Sequence, residues 1–131
     1  MTESTEPNKY VMYILVNSDI KMQPGKSHSQ VGHVVGVITD EIIRNAYELP
    51  TEESMKDFLN YKKWMHNNEY TKVVLKATND ELKQLIGESE TSKIKLKYIE
   101  DTYRSEETHI TVVGFFPRND LKEMMSGYKL M

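Results

Sequence analysis

Two segments of this chain are apolar at almost every residue, and they restrict its fold more than any other feature. Lys9 to Asn17 reads KYVMYILVN and Ile110 to Phe116 reads ITVVGFF. A strand with no alternating polar face has to be covered on both sides. Each run therefore predicts an interior strand of a sheet with helices on either face. Thr71 to Ala77 (TKVVLKA) and Lys93 to Glu100 (KIKLKYIE) read as two further strands. In the latter, Lys93, Lys95 and Lys97 alternate with Ile94, Leu96 and Tyr98, so its lysine face is expected to reach solvent at one edge of the sheet. Lys72 and Lys76 place the second strand at the other edge by the same reasoning.

The intervening segments have helical spacing. From Ser27 to about Arg44, Val31, Val34, Val35, Ile38 and Ile42 recur every three or four residues on one face. Thr51, after Pro50, is suited to cap a second helix whose stripe runs through Met55, Phe58, Leu59 and Trp64. Thr78 to Glu81 has capping-box spacing and opens a third helix through Leu82 and Ile86. Pro117 stops the fourth strand, Asn119 is placed to cap a last helix, and Gly127 to end it. The order is β-α-α-β-α-β-β-α. It describes an α/β fold with a single four-stranded sheet sandwiched between helices, strands one and four in the centre.

A length of 131 residues suits one domain. Residues 1–8 are polar and acidic and read as a disordered tail that is not a secretory signal, with the folded domain over 9–131. No apolar run approaches the ~20 residues of a membrane span, and a cytoplasmic setting is expected. The absence of cysteine removes disulfides, thiolate nucleophiles and cysteine-based zinc sites. The net charge of −3 provides no general field for nucleic acid, so any RNA contact must be local.

Chemistry has two candidate locations. At about 100° per residue, Lys26, Gln30 and His33 fall within roughly 60° of one another at the start of the first helix. They form a ridge read as facing solvent, where unpaired backbone N–H groups favour developing negative charge. Gly32 and Gly36, four apart, would admit another backbone closely. Pro24-Gly25-Lys26-Ser27 lies between a strand and a helix, as a phosphate-binding loop does, but that motif needs glycine where Ile20 stands. The second location is Glu100 to Ser105, after the third strand, where α/β sheets commonly bind ligands. Taken alone, each is better read as a solvated helix face or a polar turn. His28, His66 and His109 have no ligand spacing, and no metal is proposed.

Together these segments resemble the type 2, archaeal and eukaryotic, peptidyl-tRNA hydrolases. Tyr10 to His33 resembles the family's opening, with Met22, Gly25, Lys26, Gln30 and His33 in its spacing. Trp64, Val73 to Lys76 and the helix after Asn79 match its middle. Ile99-Glu100-Asp101 with Arg104-Ser105 resembles its Asp-Ala-Gly-Arg-Thr loop. Thr111 to Gly114 with Pro117 matches its last strand, and Gly127 to Met131 its usual ending. The resemblance runs from about Lys9 to Met131.

It implies one mixed four-stranded sheet between helices. It also implies hydrolysis, without a cofactor, of the ester that joins a peptide to tRNA, so that tRNA is released for reuse. The implied partner is peptidyl-tRNA, and a homodimer is compatible with the family. The implied site contains Lys26, Asp101 and Ser105, with Gln30, His33 and Thr111 nearby. In the roles expected, Lys26 stabilises an oxyanion or a phosphate, and Asp101 orients Lys26 and positions water. Ser105 and Thr111 donate hydrogen bonds. His33 is the candidate base, because an unperturbed imidazole titrates near neutrality. Arg104, Lys95 and Lys97, with Lys62, Lys63 and Lys93, are candidates for a tRNA-facing patch. The sequence departs from the family at Thr102, Tyr103, Ser105, Glu106 and Glu107, in the loop that presents these groups, and at Gly32. A weakened or inactive member that binds tRNA or protein is therefore the alternative, ahead of a hydrolase for another acyl ester or a purely structural domain.

Overall fold

The structure is a computed structural model that describes residues 8–102 and 107–131. Nine elements follow in order: β1 (Met12–Asn17), α1 (Pro24–Glu48), α2 (Glu52–Asn67), β2 (Lys72–Ala77), α3 (Asn79–Ser92), β3 (Leu96–Asp101), β4 (His109–Phe115), α4 (Lys122–Met125) and β5 (Lys129–Leu130). The sheet has five strands in the order β3-β4-β1-β2-β5. β1 runs parallel to β2 and antiparallel to β4, and β4 is antiparallel to β3. The carboxyl ends of β1, β2 and β3 thus share one edge of the molecule.

The two apolar runs are adjacent inner strands. Every residue of β1 is buried, because alternate side chains enter different cores. Met12, Ile14 and Val16 pack with Val34, Ile38 and Ile42 of α1 and Trp64 of α2. Tyr13 and Leu15 pack with Leu82 and Leu85 of α3 and Met125 of α4. The α1 stripe buries the face its periodicity predicts, although the helix starts earlier than Ser27 and ends later than Arg44. Both predicted caps form boxes: Thr51 with Ser54, and Thr78 with Glu81. The final helix is a single turn behind Leu121 rather than Asn119.

Three further expectations fail. The sheet has five strands, not four, and β2 is not its edge. β5 pairs Leu130 with Leu75 and Lys129 with Lys76, and the Met131 N–H donates to the Val74 carbonyl at 3.1 Å. A strand of two residues has no alternation to read. The lysine face of β3 does not point to open water either. β3 is the edge strand, but α1 and α2 reach over it with carboxylates. Lys95 Nζ lies 2.7 Å from Asp57 and 3.1 Å from Glu53, and Lys97 Nζ lies 2.5 Å from Glu41.

Candidate active site

α1 begins without a side-chain cap. Pro24 occupies its first turn, where a missing N–H costs nothing, and no acidic residue stands there. The Ser27 N–H closes on the Gln23 carbonyl, and the Ser27 hydroxyl donates to the Pro24 carbonyl at 3.0 Å. These bonds tighten the turn that carries Lys26. From it the lysine reaches across to β3, and its ammonium donates to Asp101 Oδ2 at 2.5 Å.

Asp101 is the last residue of β3. Lys95, just before this strand, and Lys97, Ile99 and Asp101 along it share the face under α1 and α2, as their spacing of two requires. The other Asp101 oxygen accepts the Thr102 N–H at 2.7 Å. The hydrogen bond from Lys26 holds the carboxyl below the ordinary carboxylate range. Partial burial opposes this shift, and the Thr102 N–H and the nearby charges of Lys26 and His33 assist it. Both partners keep 30% of their side-chain surface. The pair is therefore anchored and partly exposed.

Gln30 is not on the solvent ridge where its helical position suggested it would be. It is buried, and its Oε1 accepts a hydrogen bond from the Thr111 hydroxyl at 2.6 Å. Thr111 is fully buried and also lies 3.2 Å from the Ile99 carbonyl. A β-bulge explains how it arrives there. Ile99 pairs with Val112 but Glu100 pairs with Ile110, which leaves Thr111 as the extra residue. In a regular strand Thr111 and Val112 would face opposite sides. The bulge turns both toward α1, as bulges do beside functional sites. Asn17, whose side chain is also buried, secures the same place by donating to the Ile110 carbonyl at 2.8 Å and to Asn79 at 3.1 Å. Asn17 was not singled out in the sequence. A polar residue closing an otherwise apolar strand was the available signal.

His33 is exposed, two turns along α1 from Lys26, and close enough for its charge to act on Asp101. The structure therefore brings Lys26, Asp101 and His33 to one surface and sets Gln30 and Thr111 beneath it. Arg104 and Ser105 lie outside the described residues. Lys95 and Lys97 are away from this cluster, in the carboxylate pairs already described. For Lys95, burial pulls the ammonium down, but the hydrogen bonds it donates to Asp57 and Glu53, with their negative charges, outweigh this and hold its pKa above the ordinary value. Gly32 and Gly36 approach no other backbone and face open space.

The fold is thus an α/β sheet with a lysine–carboxylate pair at its carboxyl edge, beside an uncapped helix start. The chain belongs to the peptidyl-tRNA hydrolase PTH2 family, whose model matches residues 10–131. It is 33% identical over 125 residues to the peptidyl-tRNA hydrolase of Saccharolobus solfataricus, covering 92% of this chain and 98% of that protein. It is 32% identical over the same length and shares to the peptidyl-tRNA hydrolases of Saccharolobus islandicus strains L.S.2.15 and M.14.25.

Proposed function

We propose that this protein hydrolyses the ester bond between peptide and tRNA in peptidyl-tRNA, releasing free tRNA. The observation that carries the reading is the 2.5 Å contact between Lys26 and Asp101. It joins two segments 75 residues apart in sequence, both of which match the family's motifs. Attack by water on an acyl ester needs a positioned water and a stabilised oxyanion. The Lys26 ammonium and the uncapped N–H groups of α1 supply positive charge where the oxyanion develops. Asp101, ionised, fixes the ammonium and accepts a hydrogen bond from the attacking water. His33, on the same surface, takes the proton from that water and returns it to the leaving ribose oxygen. Gln30 and Thr111 do not touch the substrate in this scheme. They are positioning residues that hold α1 against the bulge of β4. Ser105 is assigned a hydrogen bond to substrate or water, and Arg104 a phosphate contact, from the family motif. A cytoplasmic location and a homodimer complete the proposal, to be tested by fractionation and by sedimentation equilibrium.

The test is hydrolysis of N-acetylaminoacyl-tRNA under single-turnover conditions. Lys26→Ala and Asp101→Ala are each expected to lower kcat/KM by about 10²-fold to 10³-fold, the usual loss on removing oxyanion stabilisation. His33→Gln is expected to lower it by about 10²-fold or more as loss of a general base. Turnover near that of the wild type in the Lys26 or Asp101 variant removes the mechanism. A wild-type rate no faster than buffer, with tRNA still bound at low salt, replaces the enzyme with a binding module.

A further inference from the structure

The first two turns of α1 have two working flanks. Lys26 faces β3, whereas Ser27 and Val31, about 100° and 140° further round the helix, face β2. On the β2 side lie two adjoining cavities. One, of about 120 Å³, is walled by Val16, Ile20, Met22 and Met131, with Asn17 and Ser18 at its polar end. The other, of about 360 Å³, is walled by Val31, Val74, His28 and Met131. Ser27 and Met131 border both, so the two make one groove that starts at the residue next to Lys26. Lys76 stands at its margin.

The substrate has two halves that leave its ester carbon in different directions. The RNA half carries a phosphate at every nucleotide and is drawn to the flank that carries the Lys26 ammonium. The other half is a peptide, and the groove on the opposite flank is walled mainly by aliphatic and thioether side chains. We propose that this groove is the subsite for the side chain of the esterified amino acid, and that it favours apolar side chains. The proposal rests on the hydrolytic reading above. Two methionine walls suit varied occupants, since an unbranched thioether repacks readily. Leucine, phenylalanine and methionine are therefore expected to be accepted within a few-fold of one another.

One tRNA body acylated in turn with N-acetyl-leucine, N-acetylglycine and N-acetylaspartate tests this. The wild type should cleave the leucyl ester with a kcat/KM about tenfold above the other two, within the range a hydrophobic pocket provides. Met131→Asp changes an exposed side chain. It should abolish the preference, bringing the ratio of leucyl to glycyl kcat/KM to about one. Val31→Ala, which only widens the groove, should lower the same preference, and Met131→Leu should retain it. Equal wild-type rates on all three esters overturn the subsite alone. So does a uniform loss on all three in Met131→Asp, the result expected if the tRNA terminus occupies the groove. Failure of the wild type to cleave any ester overturns the hydrolytic reading, and the subsite with it.

Discussion

At Asp101 the protonation state decides whether the ion pair with Lys26 exists. Its pKa is depressed in the folded protein, first by the Lys26 hydrogen bond. The stabilising pair is therefore complete above the ordinary carboxylate pKa of about 4. It is lost only as pH falls through the depressed value. Asp101 should accordingly contribute no titration to log kcat/KM between pH 5 and 8. Asp101→Asn should lower the whole profile by about 10²-fold and leave its shape unchanged. A wild-type acid limb in that range that disappears in Asp101→Asn contradicts this assignment. Thr111 acts differently, through burial. Thr111→Val keeps the shape but leaves Gln30 Oε1 without its donor in the interior, where an unmade hydrogen bond costs about 1–3 kcal/mol. Urea unfolding should show that loss, and Thr111→Ser should restore most of it.

Among the elements, Gly114 on β4 sets how closely α1 lies on the sheet. A Cβ there would meet Ile38 Cδ1 at 2.8 Å and the Val34 methyls at 3.1 and 3.2 Å. Gly114→Ala should destabilise by about 1–3 kcal/mol through overpacking, seen as a lower thermal midpoint. It should also reduce turnover, because lifting α1 separates Lys26 from Asp101. The sequence disclosed this layer well. Continuous apolarity located β1 and β4, the stripe from Val31 to Ile42 gave the buried face of α1, and the Thr51 cap and the Thr78 capping box fixed the starts of α2 and α3. What escaped had no periodic signal. β5 is too short to alternate, and the exposure of Lys95 and Lys97 depends on acids 38 to 56 residues away in sequence. The one-residue slip at Ile99/Glu100 alters no pattern in β4, yet it decides which way Thr111 faces. Lys26 and Asp101 were both legible as candidates. Their contact was expected only from the family resemblance and is met in the structure, because helix and strand periodicities by themselves say nothing about which ends meet.

The molecule as a whole is acidic, with a net charge of −3, and several of its cations are already occupied. Lys95 and Lys97 hold the edge strand to α1 and α2, and Arg118 is paired with Asp120 at 2.5 Å. A phosphate that sought Lys95 or Lys97 would have to displace carboxylates. The tRNA footprint should therefore be small, with about two or three phosphates neutralised. Each contributes roughly −0.9 to the slope of log affinity against log salt on a duplex stem. Binding of intact N-acetylaminoacyl-tRNA to the slow Asp101→Asn variant, measured by filter retention across a series of KCl concentrations, should give a slope no steeper than about −3. A slope near −6 would mean that these ion pairs open for the RNA. Adding Lys95→Ala and Lys97→Ala to the same variant separates the two roles. An unchanged slope with lowered thermal stability assigns both lysines to holding β3 in place. A slope shallower by about two assigns them to phosphates.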